Sequence, residues 1–586
     1  MFKILRNFSK KDILLLVVAI SLIACQVGLE LKMPDYMSAI TRLVQTEGSD
    51  MNEILRNGGM MLLCALGALI SSIFVGYFVS MLASKLSMRI REHLFRKVVS
   101  LDMEDINNFS TSSLITRTTN DVTQIQSFIS MGAQMLVRAP LTAVWAITKI
   151  ANKNWQWSTA TAVAVIILLT AISIVISLVL PRFKIVQRML DRLNGATREN
   201  LLGIRVVRAF NAEKYQEKKF SEVNNGLTDI RLFNQSVLSV MYPIISLLMY
   251  GLTLTIYFIG AYLIADSTMA DKIVVFSDMV VFSSYSMHVI MSFLFLSMIF
   301  MMLPRAQVSA DRINEVLNET STIVDGERSC GLEGEVGTVE FRNVFFKYPD
   351  AEEYLLEDIS FKAERGQTVA FIGSTGSGKS TLINLVPRFY DATEGKILID
   401  GVDVRDYKIE TLNNKIGYVP QKAVIFSGTI RSNVAFGENG KEKLSDRNMR
   451  TAVRVAQGKE FVEKMDKEYD SHIAQSGTNI SGGQKQRLAI ARAVARDPEI
   501  YIFDDSFSAL DYKTDAALRH ALKTHTGDAT SLIVAQRIGT IMHADQILVL
   551  DKGKCVGRGT HQELMKSCKV YQQIALSQLT KEELNV

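Results

Sequence analysis

Long uncharged apolar runs fill this 586-residue chain up to about residue 305, and they constrain its fold more than any other feature. A helix needs roughly 20 mostly apolar residues to cross the hydrocarbon of a bilayer. Six such runs are present, at about 12–31, 58–82, 130–151, 158–180, 237–265 and 274–303. The first opens "DILLLVVAISLIACQVGL". It is too long for the apolar centre of a secretory leader and lacks a small-residue cleavage site, so it reads as a retained span.

Charge sets the orientation. Lys3, Arg6, Lys10 and Lys11 precede the first run. Lys85, Arg89, Arg91, Arg96, Lys97 and Arg117 lie between the second and third runs, and Arg182, Lys184, Arg188 and Arg192 between the fourth and fifth. The other loops are short and poor in Lys and Arg. By the positive-inside rule the N-terminus and both basic segments are cytoplasmic, and six spans return the C-terminal half to that side. The basic segments are about 50 residues each and read as helices continuing beyond the bilayer. Each is interrupted by a punctuated stretch, "SLDMEDINNFSTSSL" and "GIRVVRAFNAEKYQEKKF".

Charges inside the runs are few: Arg138 and Lys149 in the third, Asp278 and His288 in the sixth. Such groups are costly in hydrocarbon and tend to face a cavity or a partner. Asp278 and Lys149 also stand near run ends, where an interface accounts for them. The sixth run is rich in methionine (Met279, Met287, Met291, Met298, Met301, Met302), which suits either varied apolar ligands or plain packing. The mean hydropathy of +0.16 thus averages an apolar half with an ordinary soluble half. A net charge of +5 gives no reason to expect nucleic acid as a partner. Cys25, Cys64, Cys330, Cys555 and Cys568 are scattered without CxxC spacing, which argues against a disulfide framework or zinc site.

From about 336 the pattern turns to short β-rich runs. "TVAFIGSTGSGKSTLINLV" reads as strand, glycine-rich loop and helix start. Gly373, Ser374, Thr375, Gly376, Ser377, Gly378, Lys379, Ser380 and Thr381 fit G-x-x-x-x-G-K-[ST] and its continuation. The glycines let backbone N–H groups approach phosphate, Lys379 reaches the β- and γ-phosphates, and Ser380 holds Mg²⁺. "EIYIFDD" is an apolar strand ending in Asp504 and Asp505. Asp504 is placed to hold Mg²⁺ opposite the loop, and Gln421 in "YVPQKAVIFSGTI" to orient water or metal.

The stretch "ISGGQKQRLAIARA", taken with these two motifs, resembles the signature of ATP-binding-cassette transporters. Ser481, Gly482, Gly483 and Gln484 match its SGGQ. The resemblance covers nearly the whole chain and implies a half-transporter of the type IV exporter class. The implied fold is six transmembrane helices with long cytoplasmic extensions, fused to an α/β P-loop nucleotide-binding domain with an antiparallel β subdomain. The implied bounds are a membrane domain over 1–310, a linker over 311–335 and the cassette over 336–586. By the same resemblance Tyr348 stacks on adenine, Ser508 to Asp511 form the loop at the dimer seam, and the stretches near 101–110 and 205–215 are coupling helices. ATP and Mg²⁺ are the implied cofactors. Two cassettes pack head to tail, so each ATP lies between one chain's P-loop and the other's signature.

Three positions depart from that family. A glutamate that polarises water normally follows the Mg²⁺ aspartate, and a histidine normally occupies the switch loop. Here Asp505 and Gln536 stand in those places, and Gln475 replaces a further common glutamate. The expectation is a site that binds ATP but hydrolyses it weakly, in a heterodimer with a homologous half-transporter that has the normal pair. The chain then resembles the degenerate-site half of bacterial heterodimeric multidrug exporters, a multi-pass plasma-membrane protein acting on small apolar or amphipathic compounds. The alternatives are a nucleotide-gated regulatory or sensing subunit and a lipid or peptide exporter working as a homodimer.

Overall fold

The computed structural model describes residues 9–580 apart from 47, 152, 350, 438, 442 and 443. Lys3 and Arg6 lie outside the described residues, as do the side chains of Lys184 and Met301. The chain forms two compact units, Met1–Val99 with Ser110–Glu319, and Ser100–Phe109 with Thr320–Val586.

The first unit is helical. Among the described residues, five helices are long and apolar enough to cross a membrane: Lys10–Gln45, Met51–Ser100, Trp155–Leu202, Glu213–Ala265 and Asp271–Asn318. They are longer than the apolar runs, because polar turns extend each helix past its hydrophobic centre. The third expected run, 130–151, is not among the five. It folds as the 19-residue helix Ala133–Ala151, whose apolar character is diluted by Arg138 and Lys149. Both charges find carboxylates on the first helix. The Arg138 guanidinium donates to both oxygens of Glu30 at 2.9 Å, and Lys149 Nζ donates to Asp35 at 2.6 Å. Asp278 accepts from Arg42 and Lys153 at 3.0 and 2.7 Å. The core between these helices joins Ile23, Val27 and Leu31 to Trp157, Phe282, Tyr285 and Val289. Met279 belongs to that core, whereas Met298 is exposed, so the methionines do not share one environment. The second punctuated stretch contains the short helix Ile204–Ala209, followed by a turn at Asn211 (φ 50°). The last helix of the unit runs to Asn318, into the range read as linker.

The second unit has two main sheets and a two-stranded antiparallel one, β7 (Gly428–Thr429) with β8 (His472–Ile473). β1 (Val339–Phe346), β2 (Leu356–Ala363), β4 (Glu394–Ile399) and β5 (Val402–Asp403) form an antiparallel sheet in the order β2-β1-β4-β5. β3 (Thr368–Gly373), β6 (Ile416–Val419), β9 (Ile500–Asp504), β10 (Thr530–Val534), β11 (Gln546–Asp551) and β12 (Lys554–Gly559) form a second sheet in the order β12-β11-β3-β10-β9-β6. It is parallel except for the β11–β12 pair. Both of its faces are covered by distinct apolar clusters. That is why β3 and β9 are nearly continuous apolar runs rather than alternating ones. The adjacency of β3, β10 and β9 brings the ends of three strands together, and the loops that follow them carry the site. The short helix Met103–Asn108 of the first punctuated stretch also belongs to this unit.

Candidate functional site

The loop after β3 can be made only by glycines at its turning points. A Cβ on Gly373 would lie 2.0 Å from the Leu550 carbonyl oxygen. Gly376 and Gly378 sit at φ +82° and +91°, a region that L side chains rarely enter. Ser374, Thr375 and Gly376 form the exposed tip, while Ser377, Gly378 and Lys379 are buried beneath it. Lys379 Nζ curls over the loop and donates to the Gly373 and Ser374 carbonyls at 2.9 and 2.7 Å and to Ser377 Oγ at 3.3 Å. Burial holds its pKa below the usual lysine range. An anion in the loop would take over donors that now point at backbone oxygens.

Ser380 follows at once, and its hydroxyl donates to Asp504 Oδ1 at 2.8 Å. Burial pushes the Asp504 carboxyl up, and the Ser380 hydroxyl partly counters that. A hydroxyl and a buried carboxylate side by side offer oxygen donors of the kind Mg²⁺ prefers. The residues present therefore fit the ion. The Tyr348 hydroxyl pairs with Thr381 Oγ1 at 3.1 Å, and its ring packs edge-on against Tyr390 with centroids 5.4 Å apart. This sets a half-buried aromatic face beside the loop.

Asp505 occupies the turn after β9 at φ 44°, held by its N–H to the Val534 carbonyl at the end of β10. Its Oδ2 accepts the Gln536 amide at 2.9 Å and the Gln421 amide at 3.3 Å. Burial raises its carboxyl pKa, and the bonds from Gln421 and Ser508 work against that. Gln421, Asp505 and Gln536, expected together from three distant stretches, thus converge on one carboxylate.

Ser481 to Gln484 lie at the exposed start of the helix Gly482–Ala495. Ser481 Oγ accepts the Gln484 N–H at 3.3 Å, and the Gln484 side chain returns a bond to the Ser481 N–H at 2.8 Å. This capping box leaves the helix end open. A Cβ on Gly482 would meet nothing within 4 Å, so its absence serves no neighbour within the chain. Asp511 caps the helix Tyr512–His525 after the Ser508–Asp511 loop. Gln475 is exposed.

Two residues near the site carried no signal in the sequence. Tyr390 packs on Tyr348 from a loop without a motif. Gln578, in the final described helix, donates to the Gln536 carbonyl at 2.8 Å and accepts the Ile538 N–H at 2.9 Å, bracketing the switch loop. No spacing rule links either to its partner.

Residues 356–508 match the family model described as ABC transporter, and residues 16–293 match the one described as ABC transporter transmembrane region. The chain is 37% identical over 554 residues, 93% of each chain, to an uncharacterized ABC transporter ATP-binding protein of Mycobacterium tuberculosis. It is 34% identical over 580 residues, 98% of each chain, to the uncharacterized ABC transporter ATP-binding protein YfiB of Bacillus subtilis. An ATP-dependent lipid A-core flippase of Pseudomonas putida is 32% identical over 493 residues, 84% of this chain and 80% of the flippase. The solved structure of a bacterial Atm1-family ABC exporter with ATP bound shares the fold with a TM-score of 0.80 at 22% identity, over 96% of this chain and 98% of that one. With a membrane region and an ATP-binding region matched in one polypeptide, and relatives aligned along nearly all of it, the protein belongs to the ABC transporters.

Proposed function

We propose that this chain is one subunit of a heterodimeric exporter of drugs or other apolar and amphipathic compounds. On this reading its own ATP site is degenerate, and its signature completes the competent site of a homologous half-transporter. The observation that carries the degenerate site is the 2.9 Å contact between Gln536 and Asp505. A carboxylate one methylene shorter than glutamate stands about 1.5 Å further back, a backbone bond length. Its Oδ2 already takes two amide donors, so less acceptor capacity remains to orient a water. A glutamine amide donates a hydrogen bond but carries no positive charge and relays no proton.

Binding is spared. Residues 373–381 cradle the phosphates, Lys379 neutralises them, Tyr348 supports the adenine, and Ser380, Asp504 and Gln421 hold Mg²⁺. The ion, when bound, offsets charge between the β- and γ-phosphates. Ser481, Gly482, Gly483 and Gln484 face the partner's nucleotide. The helix Ala133–Ala151 serves as the third of six spans, its two cations paired with Glu30 and Asp35. The N-terminus and the cassette then lie in the cytoplasm and the spans in the plasma membrane.

The test is turnover of the chain alone against turnover with a co-expressed half-transporter that bears Glu and His at the two positions. Alone, in nanodiscs, it is expected to hydrolyse ATP slowly. With the partner it gains turnover and dye export into inverted vesicles. A chain that dimerises with itself and moves lipid at a rate abolished by Asp505→Asn overturns this reading. It would leave a lipid-exporting homodimer, for which the flippase relative is the precedent.

A further inference from the structure

The second unit receives the chain twice. The chain first crosses into it at Ser100–Phe109, directly after the helix Met51–Ser100, and again at Thr320, directly after the helix that ends at Asn318. The two crossings meet at one carboxylate. Asp102 Oδ1 accepts the Asp105 N–H at 3.0 Å and so caps the helix Met103–Asn108. Asp102 Oδ2 accepts four further bonds, all from the start of the linker. These come from Ser321 Oγ at 2.9 Å, Thr322 N–H at 3.0 Å, Thr322 Oγ1 at 2.9 Å and Ile323 N–H at 3.1 Å.

A helix cap needs one acceptor, and Oδ1 supplies it. The four bonds to Oδ2 are surplus to capping. They join residues about 220 positions apart in the chain, and bonds to an ionised acceptor are roughly twice as strong as neutral ones. Burial alone would push the Asp102 carboxyl up. The N–H groups of Asp105 and Ile323 and the hydroxyls of Ser321 and Thr322 nevertheless hold it down at about 2, so it is charged at neutral pH. The other end of the same short helix is tied as well, since the Asn107 amide donates to the Tyr390 hydroxyl at 3.2 Å and Tyr390 packs on Tyr348.

We propose that Asp102 is a positioning residue for coupling, whose carboxylate clamps the linker at Ser321–Ile323 to the helix Met103–Asn108 so that the two crossings into the cassette unit move as one. The resemblance assigns a coupling role to the helix; the clamp to the linker is a separate device, and it does not depend on whether the assembly pairs like or unlike chains. Without it, ATP-driven movement of the cassette would be taken up by slack between linker and helix.

Asp102→Ser separates the two duties, because serine caps helices about as well as aspartate but cannot gather the linker donors. The experiment uses the full-length chain in its membrane assembly, in nanodiscs, with one spin-label pair across the two cassettes and one across the two membrane domains. ATP, Mg²⁺ and orthovanadate are added. In wild type both pairs shift. In Asp102→Ser the cassette pair shifts as in wild type, while the membrane pair shifts in half as many molecules or fewer. Ser321→Ala with Thr322→Val, which leaves Asp102 and its cap intact, gives a smaller loss in the same direction and serves if Asp102→Ser fails to assemble. A full membrane response in both variants overturns the clamp and leaves Asp102 a helix cap. Loss of the cassette shift itself also overturns it, by assigning Asp102 to nucleotide-driven closure.

Discussion

On the proposed reading, the two sides of the ATP site are built to different standards. On the phosphate side, Lys379, Ser380 and Asp504 are buried or half-buried and bonded to one another's surroundings at 2.7–2.9 Å before any ligand arrives. On the water side, Asp505 is likewise fixed, but what fixes its carboxylate is a pair of neutral amides on one oxygen, Oδ2. The first side is prepared for a ligand; the second is occupied by its own chain. If that reading holds, binding and hydrolysis are separable by substitution, and each half of the comparison can be broken independently.

The largest effect is expected from neither side but from the signature. Gly482→Asp puts a carboxylate where the open helix end should meet the partner's γ-phosphate, and losing a preorganised donor of that kind costs about 10²–10³ in rate. Steady-state ATPase of the assembly is the measurement, and near-normal turnover would show that the signature is not used. On the phosphate side, Lys379→Ala removes a charged donor worth about 1.5–3 kcal/mol, so nucleotide affinity at this site should fall roughly 10- to 150-fold. A fluorescent ATP analogue reads this, and an unchanged affinity would remove the difference between the two sides.

Rebuilding the water side should act the other way. Asp505→Glu with Gln536→His restores reach and charge, and a misplacement of about 1 Å is worth up to about a hundredfold. Single-site turnover should rise, and a double variant no faster than wild type would place the limit elsewhere. Asp505→Asn should change assembly turnover less than about threefold, a small fraction of what a 1 Å misplacement costs at a working site. A subtler contrast comes from acid. Burial raises the Asp504 carboxyl above its ordinary 3.8, and in the proposed role only its ionised form would hold the metal. Mg²⁺-dependent ATP binding should therefore weaken as pH falls, beginning above the ordinary carboxylate range. Binding of nucleotide without Mg²⁺, which rests on the Lys379 ammonium, should not. Parallel titrations with and without the ion, giving identical curves, would count against Asp504 as the ligand.

The phosphate side was legible because its parts are contiguous. Residues 373–381 make a loop whose glycines are each required by local backbone geometry, and a strand that ends in two acids declares itself. The membrane unit was legible in apolar length but not in partnership. Arg138 and Lys149 stood out as charges, yet nothing in their neighbourhood names Glu30 and Asp35, which lie on another helix more than a hundred positions earlier. The same limit hid Tyr390, Gln578 and the linker donors of Asp102. Each is a pairing across sequence distance between residue types common on any surface, and only the fold brings them together.

Gln578 changes what counts as a tail. Its amide spans the backbone on both sides of Arg537, so the helix Lys569–Gln578 is mechanically continuous with the glutamine that rests on Asp505. Trimming that helix, or fusing a tag or fluorescent protein rigidly to it, is an intervention two hydrogen bonds from the acid beside the nucleotide. Activity measured on such fusions calls for comparison with the unfused chain.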